Sequence, residues 1–400
     1  MNVAIAIIGL AFLVFVHEFG HFTAALAVGM RPRRFYIGFP PALVKMRRNG
    51  IEYGIGAIPL GGFVKIPGMH RPAPSDLDVH FSRALAEDPH LLGPVEHAKR
   101  RLGEDDPAVL APLSAALAEA QLSPQARKAA EKGLAEVADS LAPDAYWRAP
   151  TWKRIAAILA GPAANIVLAV VLFTVLYMIG SFQVTQTVGN VLPNHPAVQA
   201  GLRAGDRIVA IDGKPVQATQ ISEQIRGSNG RPLVLRVVRG GRELTIGPVV
   251  PRKTQGTYLL GFQLKGTGLS APAAAWQSIK LVGIVTKGTV IALANVVHKK
   301  ERKNFQSTVG IVQASSNAIS QGAQDYLFLL AFISLSLALL NLLPLLPLDG
   351  GHIAFSIVEG LRGRPLARSV YERVSMVGIA LVLLLFFVGL SNDIGRLGGG

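Results

Sequence analysis

Residues Phe15 to Phe22 read FVHEFGHF, with two histidines four apart, at the end of an apolar run that begins at residue 1. On a helix, residues four apart lie one turn apart on the same face, so His17 and His21 can reach one ion. Glu18 is turned about 100° from His17, beside the ion but not bound to it. Helices with H-E-x-x-H spacing bind zinc through both histidines and use the glutamate as general base. We therefore predict two metal ligands, His17 and His21, and a catalytic base, Glu18.

A zinc site that keeps one position open for water needs a third protein ligand. The chain has no cysteine, which excludes thiolate ligands, disulfides and a cysteine nucleophile. The remaining candidates are the few carboxylates and histidines within apolar sequence, and Asp349 stands out in the stretch NLLPLLPLDGGH. One such aspartate is usually a cap, and one buried histidine is usually a packed core residue. Ionisable groups inside a membrane are costly, however, so the combination predicts a metal site.

The composition indicates a membrane protein with soluble parts, because 50% of the 400 residues are hydrophobic and only 16% are charged. Besides the first apolar run, three segments carry few charges over about the 20 residues that a span needs: 155–181, 326–348 and 374–390. The first run lacks the basic flank and clear cleavage pattern of a signal peptide, so we expect it to be retained. We predict about four transmembrane helices, at 1–29, 151–182, 326–354 and 374–400.

The net charge of +15 is explained by membrane topology, because the basic residues concentrate in two segments beside predicted spans. These segments lie within 31–65 and within the loop 355–373. By the positive-inside rule both are cytoplasmic, so the termini and residues 183–325 lie outside. We therefore predict the lipid bilayer as a partner and expect no nucleic acid.

The segment 30–69 has the pattern of a β-hairpin on the cytoplasmic side of the membrane. Gly and Pro recur there, and GIGAIPLGGFV at 54–64 alternates small and apolar residues. Backbone groups of an apolar hairpin beside lipid must be paired or line a cavity. We therefore expect a membrane-associated hairpin or re-entrant region.

Residues 70–150 differ in composition from the rest of the chain. They are rich in Ala and Leu, contain 13 acidic and 9 basic residues, and suit amphipathic helices over 108–120 and 124–141. Nothing in them has the pattern of a catalytic constellation. We predict a cytoplasmic helical insert that serves packing, partner binding or regulation.

A small β domain is predicted between the second and third spans, with strands over 207–211 and 233–239. Its sequence HPAVQAGLRAGDRIVAIDGKPV resembles that of a PDZ domain, which binds peptides by strand addition. Leu260, Gly261 and Phe262 resemble the loop that holds a peptide C-terminus, although an ordinary strand end fits them equally well. We predict a PDZ-like domain over 183–268, followed by an amphipathic helix over 276–297 and a linker within 269–325.

The order of these motifs resembles the site-2 protease family of intramembrane zinc metalloproteases, and more narrowly its bacterial members with an extracytoplasmic PDZ domain. The motifs are HEFGH, GGFVKIPG, the run GPAAN at 161–165, the PDZ-like region and NLLPLLPLDGG. The resemblance implies that His17, His21 and Asp349 bind Zn²⁺ with Glu18 as base. It also implies that Asn341 and Asn165 hold or polarise the substrate. Leu346 stands where the family usually has a second proline.

This resemblance implies an enzyme of the bacterial inner membrane that cleaves transmembrane segments of single-span proteins, such as anti-sigma factors or signal-peptide remnants. The active site would lie near the cytoplasmic side, with Gly61, Gly62 and Phe63 as an edge for the unwound substrate. The alternative is a catalytically idle membrane scaffold that gathers partners through its PDZ-like domain. A metal transporter would need metal-binding groups along the spans, whereas the sequence offers one cluster.

Overall fold

The computed structural model describes residues 2–180, 184–254, 257–294 and 308–398. The chain forms two compact units, one made of Met1–Ala169 and Val285–Gly400 and the other of Val170–Ile284. The first contains the hairpin, the helical insert and the membrane-length helices except for the last part of Thr151–Met178, which belongs with the β domain to the second.

The helices are α1 (Asn2–Ala27), α2 (Pro74–Glu87), α3 (Leu92–Arg101), α4 (Ala111–Glu119), α5 (Pro124–Leu141), α6 (Thr151–Met178), α7 (Pro196–Gln199), α8 (Ala218–Gly227), α9 (Ala271–Ala294), α10 (Thr308–Gln321), α11 (Ala323–Asn341), α12 (Asp349–Arg362) and α13 (Arg368–Gly398). The strands are β1 (Arg34–Arg48), β2 (Ile51–Lys65), β3 (Val184–Val191), β4 (Arg207–Ile211), β5 (Lys214–Pro215), β6 (Leu233–Arg239), β7 (Arg242–Val249), β8 (Arg252–Thr254), β9 (Thr257–Leu259) and β10 (Phe262–Gly266).

Four helices in the described ranges are long and apolar enough to cross a membrane: α1, α6, α11 and the part of α13 from Ser369 to Ser391. The protein is therefore a membrane protein with four candidate spans and β-sheets. Close helix contacts depend on small or polar groups, as is usual where lipid supplies no hydrophobic driving force. A side chain on Gly20 of α1 would collide with the backbone oxygen of Ala160 in α6. Between α11 and α6, Ser334 Oγ donates to Asn165 O at 2.9 Å.

β1 and β2 form an antiparallel hairpin whose turn is Asn49-Gly50. Both turn residues have positive φ, at 52° and 79°, which is the conformation that a two-residue hairpin turn favours. The stretch 54–64, where the sequence pattern suggests the whole hairpin, lies within the second strand instead. The hairpin is therefore longer than the pattern indicates, and its Asn-Gly signal marks the true turn.

The hairpin packs against α1, which shields its backbone polar groups from lipid on that side. Both strands bend, so that Phe35 lies opposite Tyr53 and also opposite Val64. The ring of Phe22 in α1 packs on the ring of Phe35, with centroids 4.9 Å apart. Residues 34–37 are thus paired with two stretches of β2 and shielded by α1.

The helical insert comprises residues 70–150 and has a hydrophobic core of its own. α5 has the bounds that the amphipathic pattern predicts. The fully buried side chains that meet between α2, α3, α4 and α5 include Leu77, Phe81, Val95 and Leu113. The insert is therefore a folded unit and not a flexible linker.

The β domain is built on a sheet with strand order β10-β3-β4-β6-β7, and β5 pairs with β4. β4 and β6 have the bounds predicted from their alternating pattern. Their inward-facing residues Ile208, Leu235 and Val237 are fully buried and pack with Ile221 of α8 in one core. The sequence pattern therefore predicts the centre of this sheet well.

The predicted bounds of the third transmembrane helix, 326–354, are wrong. α11 ends at Asn341, and α12 begins as a separate helix at Asp349. Pro344 and Pro347 lie between them, and a proline cannot donate the backbone hydrogen bond that a continuing helix needs. Asp349 therefore opens a helix and does not end a span.

The predicted loop over 355–373 is mostly helical. α12 continues to Arg362, and α13 begins at Arg368. α12 is held to α6 by an ion pair in which Arg154 Nη1 donates to Glu359 Oε2 at 2.6 Å, with both side chains 10% exposed. Such a tertiary contact stabilises a short helix but leaves no periodic signal in the local sequence.

The segment predicted as a helix and linker also differs in part. α9 matches the described part of the helix predicted over 276–297, whereas residues 295–307 lie outside the described residues. α10 is a helix where a linker is predicted. It packs against α1, and Asn2 Nδ2 donates to Ser320 Oγ at 3.0 Å. Packing against α1, and not local helix propensity, accounts for it.

A buried carboxylate in the β domain hydrogen-bonds to two parts of the domain that are distant in sequence. Asp206 is fully buried, and its oxygens accept from Arg239 Nε at 2.6 Å, from Arg239 Nη2 at 2.7 Å and from the backbone N–H of Arg203 at 2.8 Å. Burial acts to raise the pKa of Asp206, but the hydrogen bonds from Arg239 and Arg203 outweigh it, so the pKa lies below its ordinary value. Asp206 therefore stabilises the domain in its charged form.

We expect Asp206→Asn to make the amides of β4 and β6 exchange with deuterium on the order of tenfold faster at pH 7, because the charge-assisted bonds to Arg239 are lost. A lowered pKa contributes stability above the unfolded value of about 3.9, and this contribution disappears as pH falls through the folded value. The gap between variant and wild type should therefore shrink as pH falls from 5 toward 2. A gap that is the same at both ends of this range would contradict the assignment.

Candidate active site

The three metal-binding candidates meet at one point in the first unit. His17 and His21 lie on one face of α1, and Asp349 is the first residue of α12. The two histidine Nε2 atoms are 3.2 Å apart, and each lies 3.2 Å from Asp349 Oδ2. Both histidines are 7% exposed, so the cluster is nearly closed to solvent.

The ring of His21 is oriented by α6. Its Nδ1 lies 3.0 Å from Ala157 O, and a carbonyl can only accept, so the proton is assigned to Nδ1 and the lone pair to Nε2. Gly161, one turn further along α6, leaves room for this ring, because a Cβ there would collide with His21 Nε2. The backbone of α6 therefore fixes both the tautomer and the direction of this side chain.

The arrangement fits a zinc ion. Ligand atoms that each lie about 2.0–2.1 Å from a tetrahedral zinc are roughly 3.3–3.4 Å apart, close to the 3.2 Å triangle seen here. Three lone-pair atoms at this spacing repel one another unless positive charge lies between them. Two imidazoles and one carboxylate, with a fourth position open, form the donor set of a catalytic zinc site. Among the described residues, His17, His21 and Asp349 are the three His, Asp or Glu side chains whose ligand atoms lie close enough together to share one ion.

Glu18 lies between the ligand cluster and β2. The position of a Cβ on Gly62 is 3.1 Å from Glu18 Cγ. Glycine at residue 62 therefore lets the strand approach the glutamate closely. A cavity of about 400 Å³ opens here and is lined by the ligand cluster, Glu18 and β2.

The predicted substrate-contacting residues divide into two groups. Gly61, Gly62, Phe63 and Asn341 line this cavity. Asn165 is fully buried in α6, outside the described lining, and neither atom of its amide has a partner among the described residues. The structure therefore brings the first four to the site and leaves Asn165 in the helix packing.

Sequence pattern alone gives no role to Gly161 or Ala157, which orient His21. Gly161 belongs to the run GPAAN, so its position in a quoted motif is the signal that marks it. Ala157 acts through its backbone oxygen, which no side-chain pattern can reveal. His352, which follows Asp349 by three residues, also lines the cavity without being predicted.

The three residues predicted to bind peptide in the β domain lie together before and at its outer strand. Leu260 is buried at 2% exposure, and its carbonyl accepts from Ala197 N at 2.9 Å. Gly261 has φ +84°, and the His195 side chain occupies the space that a Cβ would take. Phe262 begins β10 opposite Val191 of β3.

A cluster of three side chains that can hold a metal, two of them on a membrane-length helix, is typical of a membrane metalloenzyme. Comparison with known proteins identifies the family, because the sequence profile of peptidase family M50 matches residues 5–385. The Agrobacterium fabrum protein Atu1380, provisionally named a zinc metalloprotease, is 30% identical over 98% of this chain and 95% of its own length. Zinc metalloprotease RasP of Geobacillus kaustophilus is 28% identical over 96% of this chain and 95% of its own length.

The chain therefore belongs to peptidase family M50, the site-2 protease family of zinc metalloproteases. It is a metalloprotease, and zinc is its cofactor. The family resemblance carried by the motifs is thus confirmed, whereas the roles of individual residues are matters for proposal.

We expect Gly161→Ala to lower the affinity for zinc by roughly 10- to 100-fold, because the added methyl displaces the ring of His21. The measurement is zinc retention by the purified full-length protein against a graded series of chelator concentrations. Gly283→Ala is a matched control, since Gly283 is also helical and has open space around it. Equal zinc retention in the two variants would refute a positioning role for Gly161.

Proposed function

We propose that this protein is an intramembrane protease that hydrolyses peptide bonds within transmembrane segments of single-span membrane proteins. The observation that carries the proposal is the location of the cluster: two ligands and the base lie on a helix of membrane-spanning length. A soluble protease needs no such helix for its metal, and ionisable groups at that depth are costly unless they act there. The bond to be cut therefore lies in the membrane as well.

His17, His21 and Asp349 would hold the zinc ion, through the three atoms that form the 3.2 Å triangle. When bound, zinc supplies Lewis-acid chemistry, in which it acidifies water and polarises a carbonyl. Ala157 O and Gly161 keep the ring of His21 turned toward the cluster.

Glu18 is the general base of the proposed reaction. It is adjacent in sequence to His17 but turned away from the ligand cluster, toward β2 and the cavity. Its carboxylate takes a proton from the attacking water and returns a proton to the amine that leaves. β2 approaches the side chain of Glu18 closely at Gly62 and so limits its movement.

The substrate would be held as an extended strand along β2. A transmembrane helix hides its carbonyl groups in its own hydrogen bonds, so it must unwind locally before hydrolysis. Gly62 and Phe63 pair with Ile37 and Tyr36 on one side and line the cavity on the other. Strand addition at this edge satisfies the unwound backbone. Asn341, across the cavity, offers an amide to the substrate backbone, and Asn165 has no evident part in this step.

The proposed enzyme lies in the bacterial inner membrane with its active site near the cytoplasmic side. Support comes from the basic residues that flank the spans on that side, by the positive-inside rule, and from the bacterial origin of the relatives. Its substrates would be anti-sigma factors or remnants of signal peptides.

The β domain is proposed to be PDZ-like and extracytoplasmic, and to screen substrates by peptide binding. β10 is an outer strand of the described sheet, and Leu260 and Gly261 lead directly into it. Such an edge accepts a peptide as a further strand. Leu260, Gly261 and Phe262 are the residues we assign to this site.

We expect Glu18→Gln to lower the cleavage rate by at least roughly 100-fold while zinc content stays at the wild-type level, because the base is lost and no ligand is. The assay uses full-length protein in liposomes and a dual-tagged test protein with one apolar span that carries Gly-Pro at its centre. Cleavage is followed by separation of the two tags.

Glu131→Gln, at an exposed residue of α5, is the matched control and should cleave as the wild type does. Chelation should stop the wild-type reaction, and added zinc should restore it. Full activity of Glu18→Gln, or cleavage that persists after zinc is removed, would refute the proposed function.

A further inference from the structure

The helical insert is attached to the hairpin by a cluster of charges at its base. Arg33 precedes β1, and its guanidinium donates from Nε to Asp139 Oδ1 at 2.9 Å. The same guanidinium donates from Nη1 and Nη2 to the two oxygens of Asp144, at 2.9 and 3.0 Å. A guanidinium that donates to two carboxylates in this way fixes both the distance and the relative orientation of the groups that it joins. Asp139 and Asp144 both belong to the insert.

Asp139 also contacts the other strand of the hairpin. Its Oδ2 accepts from Lys65 Nζ at 2.8 Å, while the backbone N–H of Arg33 donates to Lys65 O at 2.7 Å. The side chains of this cluster are 21% to 30% exposed, so solvent screens them less than it screens an ordinary surface pair. One carboxylate of the insert therefore holds the ends of both strands together.

The chain that follows β2 is attached to the same part of the insert by its backbone. Tyr146 N donates to Pro67 O at 2.9 Å, and Trp147 N donates to Gly68 O at 3.1 Å. Gly68 has φ +58°, and a Cβ there would lie 2.6 Å from Ala145 Cβ. The close contact between residues 68 and 145 therefore requires glycine at residue 68. The chain just after β2 is held against the insert by these bonds.

The fixed end of β2 is close to the base of the proposed reaction. Lys65 stands three residues from Gly62, where a Cβ would lie 3.1 Å from Glu18 Cγ. Three residues of a strand span about 10 Å and transmit displacement along the backbone. A shift of Lys65 therefore moves both the contact with Glu18 and the edge offered to substrate.

We propose that Asp139 and Asp144 are positioning residues, through which the helical insert holds β2 against Glu18 and in register with the substrate. The inference rests on the proposed function and assigns the insert a part in it. The insert is acidic overall, with 13 acidic and 9 basic residues, and meets a basic hairpin base. Its contact surface thus complements the charge of the strands that it holds.

The test compares Asp139→Asn with Asp78→Asn in the full-length protein, in the liposome assay with the Gly-Pro test substrate. Asp78 pairs with Lys99 inside the insert, so its variant removes an ion pair of the insert without touching the hairpin. We expect Asp139→Asn to raise KM and to lower kcat/KM roughly tenfold at unchanged zinc content, and Asp78→Asn to match the wild type. A variant that merely unfolds in part loses active molecules, which lowers apparent kcat and leaves KM unchanged.

Lys65→Met, alone and combined with Asp139→Asn, tests whether the contact itself matters. If both residues act through it, the double variant should have the KM of Asp139→Asn, whereas independent effects would multiply. Asp139→Glu keeps the charge and should recover at least half of the lost kcat/KM. A wild-type KM in Asp139→Asn, multiplying effects, or an equal rise of KM in Asp78→Asn would each overturn the inference.

Deuterium exchange separates this inference from the proposed function. The amides of residues 62–65 should exchange at least fivefold faster in Asp139→Asn than in Asp78→Asn, whether or not any substrate is cleaved. If Glu18→Gln is inactive and these amides are unchanged, the inference alone fails. If Glu18→Gln is fully active, the proposed function fails, and the exchange result still decides whether the insert holds β2.

Discussion

Mutual repulsion among three lone-pair atoms, confined at 3.2 Å from one another in an apolar setting, is the constraint on which the structure depends. Such atoms stay together only if positive charge, from a metal ion or a proton, lies between them and the surrounding chain holds their directions. The helix contacts serve this need. Gly20 and Gly161 allow α1 and α6 to approach until His21 reaches a backbone carbonyl. The prolines before Asp349 turn the chain so that the third ligand arrives from a separate helix.

The second requirement is a base that is near the ligands without becoming one. Glu18 meets it because consecutive helical residues point about 100° apart, so it faces β2 when His17 faces the cluster. The hairpin thereby has two roles: it approaches the glutamate at Gly62 and lines the substrate cavity. Any element that fixes the hairpin acts on both. The charge cluster around Asp139 is the contact on the insert side that does so.

Much of this arrangement is predictable from sequence, for physical reasons that also explain the failures. Helical spacing determines how His17, Glu18 and His21 point, and hydropathy over membrane length finds the four spans. Period-two alternation predicts the bounds of β4 and β6. Local sequence does not predict the features that depend on tertiary contact. These are the end of α11 at Asn341, the helices α10 and α12, and the burial of Asn165 among the helices. The ion pairs from the insert to Arg33 and Lys65 join residues 74 to 111 positions apart, and no local pattern records them.

The support of His21 by α6 has a genetic consequence. Its partner at residue 157 is a backbone oxygen, so exchanging that side chain does not delete the acceptor. At residue 161 the reverse holds, because every other amino acid adds at least one carbon where the imidazole stands. Two neighbouring residues on one turn of helix thus differ sharply in mutational tolerance. The first can drift among small side chains, and the second is confined to glycine.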